Sequence, residues 1–386
     1  LLQLKRVNRK YGVQVGDGLL EEMGEYLKNL EEGYIAYRTN NSRFMLLGPE
    51  CPKEKADELL GRIRQRFEDV WLVETDGERH EVLAKAYFIH FFLEPKETEK
   101  DLLEKINHAA SVFRLRERKG ILFFNEELNA DMLHNRYVME EVRYAVENKT
   151  FQIYYQPIYD CSEGRFVSAE SLIRLFGRDG TFLSPGEFIP MAEENGLIDS
   201  ISWIVLEKVC RFLGEHPQLP LKNISINMTG QQILDPTFIG RIEGNLDQYG
   251  VDGSRLRIEI TERTITEDYA EVRKVMAYLA GKGIQFYLDD FGTGYSNLAS
   301  MLSLPFEAIK FDQSLINMMN GTDKGLRTIS LLADIMHEND YYIVAEGVET
   351  AEQMKLAKER SLDRIQGYYY AKPMPGEDLV SFLEAD

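Results

Sequence analysis

From Phe151 onward the chain repeats one pattern: a short run rich in β-branched and aromatic residues, then a stretch long enough for a helix. The runs are FQIYYQP, RFVSAESLI, NISINM, LRIEIT, IQFYLDD, AIKFD, YYIVAEG and RIQGYYY, eight in all. Strands that alternate with helices form a parallel sheet, and eight such units close into a (β/α)8 barrel. Helix starts are marked between the runs. Ser184, Pro185 and Glu187 read as a capping box with proline at its first position, and Thr350 with Gln353 as another. One unit breaks the rule, because only IYDCSEG separates the first two runs. A parallel crossover needs about a dozen residues. The first strand is therefore expected to run antiparallel, in a hairpin that sets Glu170 roughly opposite Gln156.

Barrels of this kind carry their chemistry at the carboxyl ends of the strands. In order, those ends are Glu170, Asn227, Glu259, Asp289 with Asp290, Lys310 with Asp312, Glu346 and Gln366. Taken singly each has an ordinary explanation: Asn227 caps a turn, Glu259 and Glu262 alternate toward solvent, Lys310 pairs with Asp312. Together on one rim they are another matter, since carboxylates crowded around one mouth repel each other unless cations balance them. Hard oxygen ligands without His or Cys select Mg²⁺ or Mn²⁺. Adjacent aspartates within such a ring suit a pair of metals, the arrangement that activates a water and steadies the leaving oxygen in phosphodiester hydrolysis. Arg174, four residues after Glu170, suits a phosphate or the face of a base. Gly292 and Gly294 let the loop after Asp290 bend, or form a plain strand-to-helix turn.

Composition narrows the partners. A formal net charge of −19 over 386 residues argues against a nucleic-acid polymer or an anionic membrane surface. Cys51, Cys161 and Cys210 form no CxxC pair, which fits a reducing, cytoplasmic setting without structural zinc. The most apolar stretch, AYFIHFFL from Ala86, is too short to span a bilayer. The chain opens on Leu rather than Met, which reads as a fragment and leaves room for a sensor or membrane anchor upstream.

Residues 1–128 follow a different grammar, that of a compact α+β domain. GYIAYR and RFMLL flank TNNS as a hairpin, HEVLAKAYFIHFFL reads as a strand, and DLLEKINHAASVFRLRER as an amphipathic helix. Residues 129–150 carry charged helical periodicity and are expected to link this domain to a second one over 151–386.

The second domain resembles the EAL domain of cyclic di-GMP phosphodiesterases, from YYQPI and AESLIRL through SINMT, IEITE, DDFGTGYSN, IKFDQS and AEGVET to QGYYYAKPMP. The resemblance implies an α/β, TIM-like barrel with one reversed strand, a two-metal site for Mg²⁺ or Mn²⁺, and hydrolysis of cyclic di-GMP to pGpG. It implies metal binding by Glu170, Asn227, Glu259, Asp289 and Asp290, with Glu346 near the metals and acting on the water, and with Lys310 orienting or activating that water. It further implies that Gln156, Arg174, Asp312 and Gln366 line the substrate site, that Glu262 anchors the DFGTG loop, and that two copies pair through this domain. Ser171 stands where the family has Ala, Gln313 where it commonly has Arg, and Asn297 where it usually has Ser. A second class of function, a cyclic di-GMP receptor without hydrolysis, needs Arg174 and Gln366 but not the paired aspartates, Lys310 and Glu346. The first domain resembles a degenerate GGDEF domain: its signature loop is Asn40 to Phe44, with no acid, and Leu2 aligns with a metal-binding Asp of the cyclases. Cyclase activity is not expected of it; a structural or regulatory role is, with nucleotide binding through Asn8 as the lesser reading.

Overall fold

The computed structural model describes residues 4–40, 42–49, 51–75, 77–84, 86–91, 96–115, 121–261, 269–292, 304–319 and 323–385. They divide into two compact units, Leu1–Arg136 and Tyr137–Asp386, and one unbroken helix, Glu126–Asn148, runs from the first into the second. No helix among the described residues is long and apolar enough to cross a membrane.

In the first unit the helix Val13–Lys28 buries Val15, Leu19, Met23 and Leu27, one face at helical spacing, against Leu59, Ile63 and Phe67 of the helix Lys53–Glu68. The expected hairpin forms: β1 (Ile35–Asn40) and β2 (Arg43–Leu47) pair antiparallel. HEVLAKAYFIHFFL is not one strand. Its first part belongs to β4 (Glu78–Leu83), which pairs antiparallel with β3 (Val70–Thr75); its second holds β5 (Phe88–His90), which pairs parallel with β6 (Ile121–Phe123). The break falls where the partner strand runs out, since the β3–β4 ladder ends at Val70 opposite Leu83. Strand β3 itself escapes a reading by run length because it alternates, with Trp71 and Val73 buried and Val70 and Leu72 outward. The helix expected over DLLEKINHAASVFRLRER is described as Glu99–Leu115.

The second unit is the closed barrel. Its strands are β7 (Gln152–Asp160), β8 (Arg165–Phe176), β10 (Asn223–Asn227), β11 (Leu256–Thr261), β12 (Gln285–Phe291), β13 (Phe306–Phe311), β14 (Tyr342–Ala345) and β15 (Arg364–Ile365), with the short β9 (Phe182–Leu183) on β8 and β16 (Met374–Pro375) on β7. From β8 and β10 round to β15 the neighbours are parallel; β7 closes the ring antiparallel to both β8 and β15. The hairpin register sets Gln156 directly opposite Glu170. Ile158, Tyr287, Ala308 and Val344 fill the barrel interior. Helices pack outside on residues such as Leu206, Val209 and Ile224, all fully buried.

Two details depart from the sequence pattern. Only Arg364 and Ile365 of RIQGYYY are strand, because Gly367 lies so close to the Val348 backbone that a Cβ there would sit 2.1 Å from the Val348 carbonyl oxygen. The Gly367 carbonyl then accepts from the amides of Tyr370 and Ala371, which turns the chain. Ser184 stands at a helix N-terminus with Pro185 in the first turn, but its side chain makes no capping bond. At Thr350 both halves of the capping box are present: Thr350 Oγ1 accepts from the Gln353 amide at 3.2 Å and Gln353 Oε1 from the Thr350 amide at 3.0 Å. Thr350→Ala is therefore expected to cost about 1 kcal/mol in denaturant unfolding, whereas Ser184→Ala stays within about 0.5 kcal/mol. Equal losses at the two positions would contradict this capping assignment.

Candidate active site

Side chains of a strand alternate, so Lys310, two residues beyond inward-facing Ala308, also points into the barrel. It is 1% exposed, and its ammonium meets four carboxylates: Glu170 Oε2 at 3.1 Å, Glu259 Oε2 at 2.7 Å, Asp289 Oδ1 at 3.1 Å and Glu346 Oε1 at 2.7 Å. These come from β8, β11, β12 and the residue after β14, so four separate strands converge on one nitrogen. Around them sits a shell of amides. Asn227 Nδ2 donates to Glu170 Oε1 at 3.0 Å, and Gln366 Nε2 to Glu170 Oε2 at 2.6 Å and to Gln156 Oε1 at 3.2 Å. Gln156 Nε2 in turn donates to the Ala371 carbonyl at 3.1 Å.

Asp289 and Asp290 enter this site through an irregularity. Leu288 pairs with Ile309 and Phe291 with Phe311, so both aspartates oppose the single residue Lys310, and Asp290 has φ 57°. Asp289, Asp290 and Glu346 thereby offer carboxylate oxygens within 4.8 Å of one another.

Burial and crowding divide the acids. Glu170 is penalised by burial, but the Lys310 charge and hydrogen bonds from Gln366, Lys310 and Asn227 hold its carboxyl below the ordinary value. Burial and the Glu170 charge push Glu259 well above it. Glu346 is raised to about 8 by burial, with Lys310 opposing and Asp289 and Glu170 adding to the shift. Asp290 is raised by burial and by Asp289 and Asp312. Burial works against the Lys310 charge, but the four carboxylates, Asp289 first, hold it firmly protonated.

The other expected residues are placed less centrally. Arg174 is half-buried at the last rung of the β7–β8 ladder, where Nη1 donates to the Ile173 carbonyl at 2.9 Å and the guanidinium lies 5.4 Å from the Tyr154 ring centre. Asp312 accepts from the Ser314 amide at 2.8 Å, opening the helix Gln313–Met319. Glu262, Gly294 and Asn297 lie outside the described residues. A second polar layer, not anticipated, lies at the other end of the barrel interior: Arg364 Nη1 donates to the Tyr287 hydroxyl at 3.0 Å and Nε approaches Asp160 Oδ2 at 3.4 Å. Its signal was the inward alternation Arg364–Gln366 and Gln156–Asp160, visible only once strand direction is known.

The residues fit hard divalent cations. All the converging donors are oxygens, and Glu259 Oε1 and Gln366 Oε1 are buried with no hydrogen-bond partner, a cost that a cation or its water removes.

Residues 139–373 match the family described as the EAL domain, and residues 1–119 that described as diguanylate cyclase, GGDEF domain. The chain belongs to the EAL-domain family of cyclic di-GMP phosphodiesterases and carries an N-terminal GGDEF domain. It is 28% identical over 398 residues to the signaling protein YkoW of Bacillus subtilis strain 168, covering 99% of this chain and 48% of that protein. It is also 28% identical over 390 residues to the bifunctional diguanylate cyclase/cyclic di-GMP phosphodiesterase MucR of Pseudomonas aeruginosa, covering 98% of this chain and 55% of MucR. The chain thus spans about half the length of these relatives. The solved MucR phosphodiesterase in complex with c-di-GMP superposes with a TM-score of 0.59 at 28% identity, over 63% of this chain and 99% of that one.

Removing one partner of a buried ion pair costs about 3–5 kcal/mol because the other charges are left uncompensated. Lys310→Met, measured by denaturant unfolding at pH 8 in EDTA, is expected to lose stability on that scale and to regain much of it when a divalent cation is added. Wild-type stability in EDTA would mean that the carboxylates do not depend on Lys310.

Proposed function

We propose that this protein hydrolyses one phosphodiester bond of cyclic di-GMP to give linear pGpG, using two divalent ions, Mg²⁺ or Mn²⁺. The observation that carries this reading is the convergence of Glu170, Glu259, Asp289 and Glu346 on Lys310, with Asp290 brought to the same side. Glu170, Asn227, Glu259, Asp289 and Asp290 hold the metals. When bound, the metals supply Lewis-acid polarisation of the phosphate and lower the pKa of an attacking water. Lys310, a fixed cation, orients that water and offsets charge that builds on the phosphoryl oxygens. Glu346, which lies beside Asp289 and Asp290 and contacts Lys310, acts on the water at the metals. Gln156, Arg174, Asp312 and Gln366 bind substrate, Arg174 gripping a phosphate or a guanine face, and Glu262 anchors the loop after Asp290.

The receptor reading is less well supported, because binding alone gives no chemical reason to crowd four carboxylates around a buried lysine. MucR is a phosphodiesterase by name, and its structure holds c-di-GMP, which favours the same ligand here. We further take residues 1–128 as a regulatory GGDEF-like domain, 129–150 as its linker and 151–386 as the phosphodiesterase domain. The setting is cytoplasmic and the working form a homodimer through the EAL domain.

Incubation with cyclic di-GMP and chromatography for pGpG tests the activity. Product is expected with Mg²⁺ or Mn²⁺, none in EDTA, and little with Ca²⁺, whose longer and looser oxygen shell misplaces the water. Glu170→Ala should lower turnover by at least about 10²-fold while the protein stays folded. Full activity in EDTA would overturn the two-metal reading. The N-terminal domain should make no cyclic di-GMP from GTP, because its loop offers Arg43 and no acid where a cyclase holds metal; product above a heat-killed control would refute that.

A further inference from the structure

One buried charge of the second unit takes no part in the site. Glu141, on the helix Glu126–Asn148, is 3% exposed, and Arg178 occupies both its oxygens. The Arg178 amide donates to Oε2 at 2.9 Å, and Nε and Nη2 donate to Oε1 at 2.8 and 2.6 Å. One turn earlier Tyr137 donates its hydroxyl to Asp179 Oδ1 at 2.9 Å. A Cβ at Gly177 would lie 2.2 Å from that hydroxyl, so the helix closes directly on the turn. Residues 137–141 thus grip residues 177–179, the turn that follows β8.

Strand β8 carries both Glu170 and Arg174, but it does not hold them equally. Glu170 is paired on both sides, with Gln156 of β7 and Ser225 of β10. The β8–β10 ladder stops there, and Arg174 is paired only with Gln152, the first residue of β7. Beyond that rung the strand end is held by β9, with Leu175 opposite Leu183 and Phe176 opposite Phe182, and by the turn at 177–181 that joins them, closed by the Gly177 amide on the Thr181 carbonyl at 2.8 Å. From outside the hairpin, Glu141 brings its charge to this turn through the pair with Arg178.

We infer that the Glu141–Arg178 pair is a positioning clamp for Arg174, which sets affinity for substrate and leaves the metals and the chemical step alone. The inference rests on the proposed role of Arg174 as a substrate residue. Two guanidinium donors and a backbone amide on one buried carboxylate hold a strand end more tightly than a single exposed contact does, and a clamp beyond the last rung moves Arg174 more than Glu170.

The test uses the full chain with Arg178→Ala, Glu141→Gln and the conservative Arg178→Lys. Arg178→Ala and Glu141→Gln should each raise KM for cyclic di-GMP about 3- to 10-fold, with kcat within about twofold and divalent-ion affinity unchanged. Arg178→Lys, which unlike Arg178→Ala keeps the charge, should recover part of the loss. Amide exchange at residues 174–178, read without substrate, should quicken in the first two variants. Wild-type turnover tests the reading of the site by itself. Unchanged exchange overturns the clamp whatever the wild type does, and so does a lower kcat or weaker metal binding at unchanged KM. Should Glu141→Gln fail to fold, Arg178→Ala, whose side chain is 56% exposed, carries the comparison.

Discussion

A lysine ammonium sealed among four carboxylates is the contact on which the mouth of this barrel depends. One positive charge cannot neutralise Glu170, Glu259, Asp289 and Glu346 together. At 3–4 Å in a partly desolvated site each unpaired charge costs kilocalories. The protein resolves this unevenly. Glu170, with two amide hydrogen bonds besides its charge pair, keeps its ionised form, while Glu259 and Glu346 are pushed toward holding protons. The site therefore stores a demand for further positive charge on the acids that the amides do not reach, and oxygen donors under such a demand suit a hard divalent cation.

The reversed strand is what makes the amide shell possible. Because β7 runs against its neighbours, its inward residues meet the barrel in inverted order: Gln156 at the mouth, Ile158 in the middle and Asp160 at the base. Gln156 then lies between Glu170 on one side and Gln366 on the other, and one Gln366 amide nitrogen bridges both. At the base Asp160 meets Arg364, the residue two before Gln366 on β15. One strand direction thus sets the polar partners at both ends of the barrel, with an apolar layer of Ile158, Tyr287, Ala308 and Val344 between them.

Much of this was legible in the chain, for reasons that differ by element. The barrel could be read because each strand is short, apolar and flanked by helix-length segments, and the reversed strand because a seven-residue connection is too short to cross over. The strand-end acids and amides could be listed for the same reason: strand ends are visible in sequence. What stayed hidden depends on neighbours. RIQGYYY has every property of a strand, yet Gly367 meets the Val348 backbone and the strand stops at Ile365. HEVLAKAYFIHFFL is continuous in character but loses its partner at Val70. Ser184 has the residue type of a cap without the bond. The Arg364–Asp160 layer needs the direction of β7 before its members can be recognised as neighbours.

The two adjacent aspartates show how a local irregularity solves a geometric problem. In a regular strand consecutive side chains point to opposite faces, so Asp289 and Asp290 could not both reach the mouth. Here β12 spends three steps between Leu288 and Phe291 where β13 spends two between Ile309 and Phe311, a bulge that sets both aspartates against Lys310. The extra residue takes φ 57°, the left-handed region, which costs most residues about 1 kcal/mol or more and Asp less, since its short polar side chain tolerates it. With alternation broken, Asp290 joins Asp289 and Glu346 within 4.8 Å instead of turning away. The backbone strain and the charge repulsion thus fall on the same two residues. A strand that only had to end there would need neither, which is why this bulge belongs to the chemistry of the site and not to the closure of the barrel.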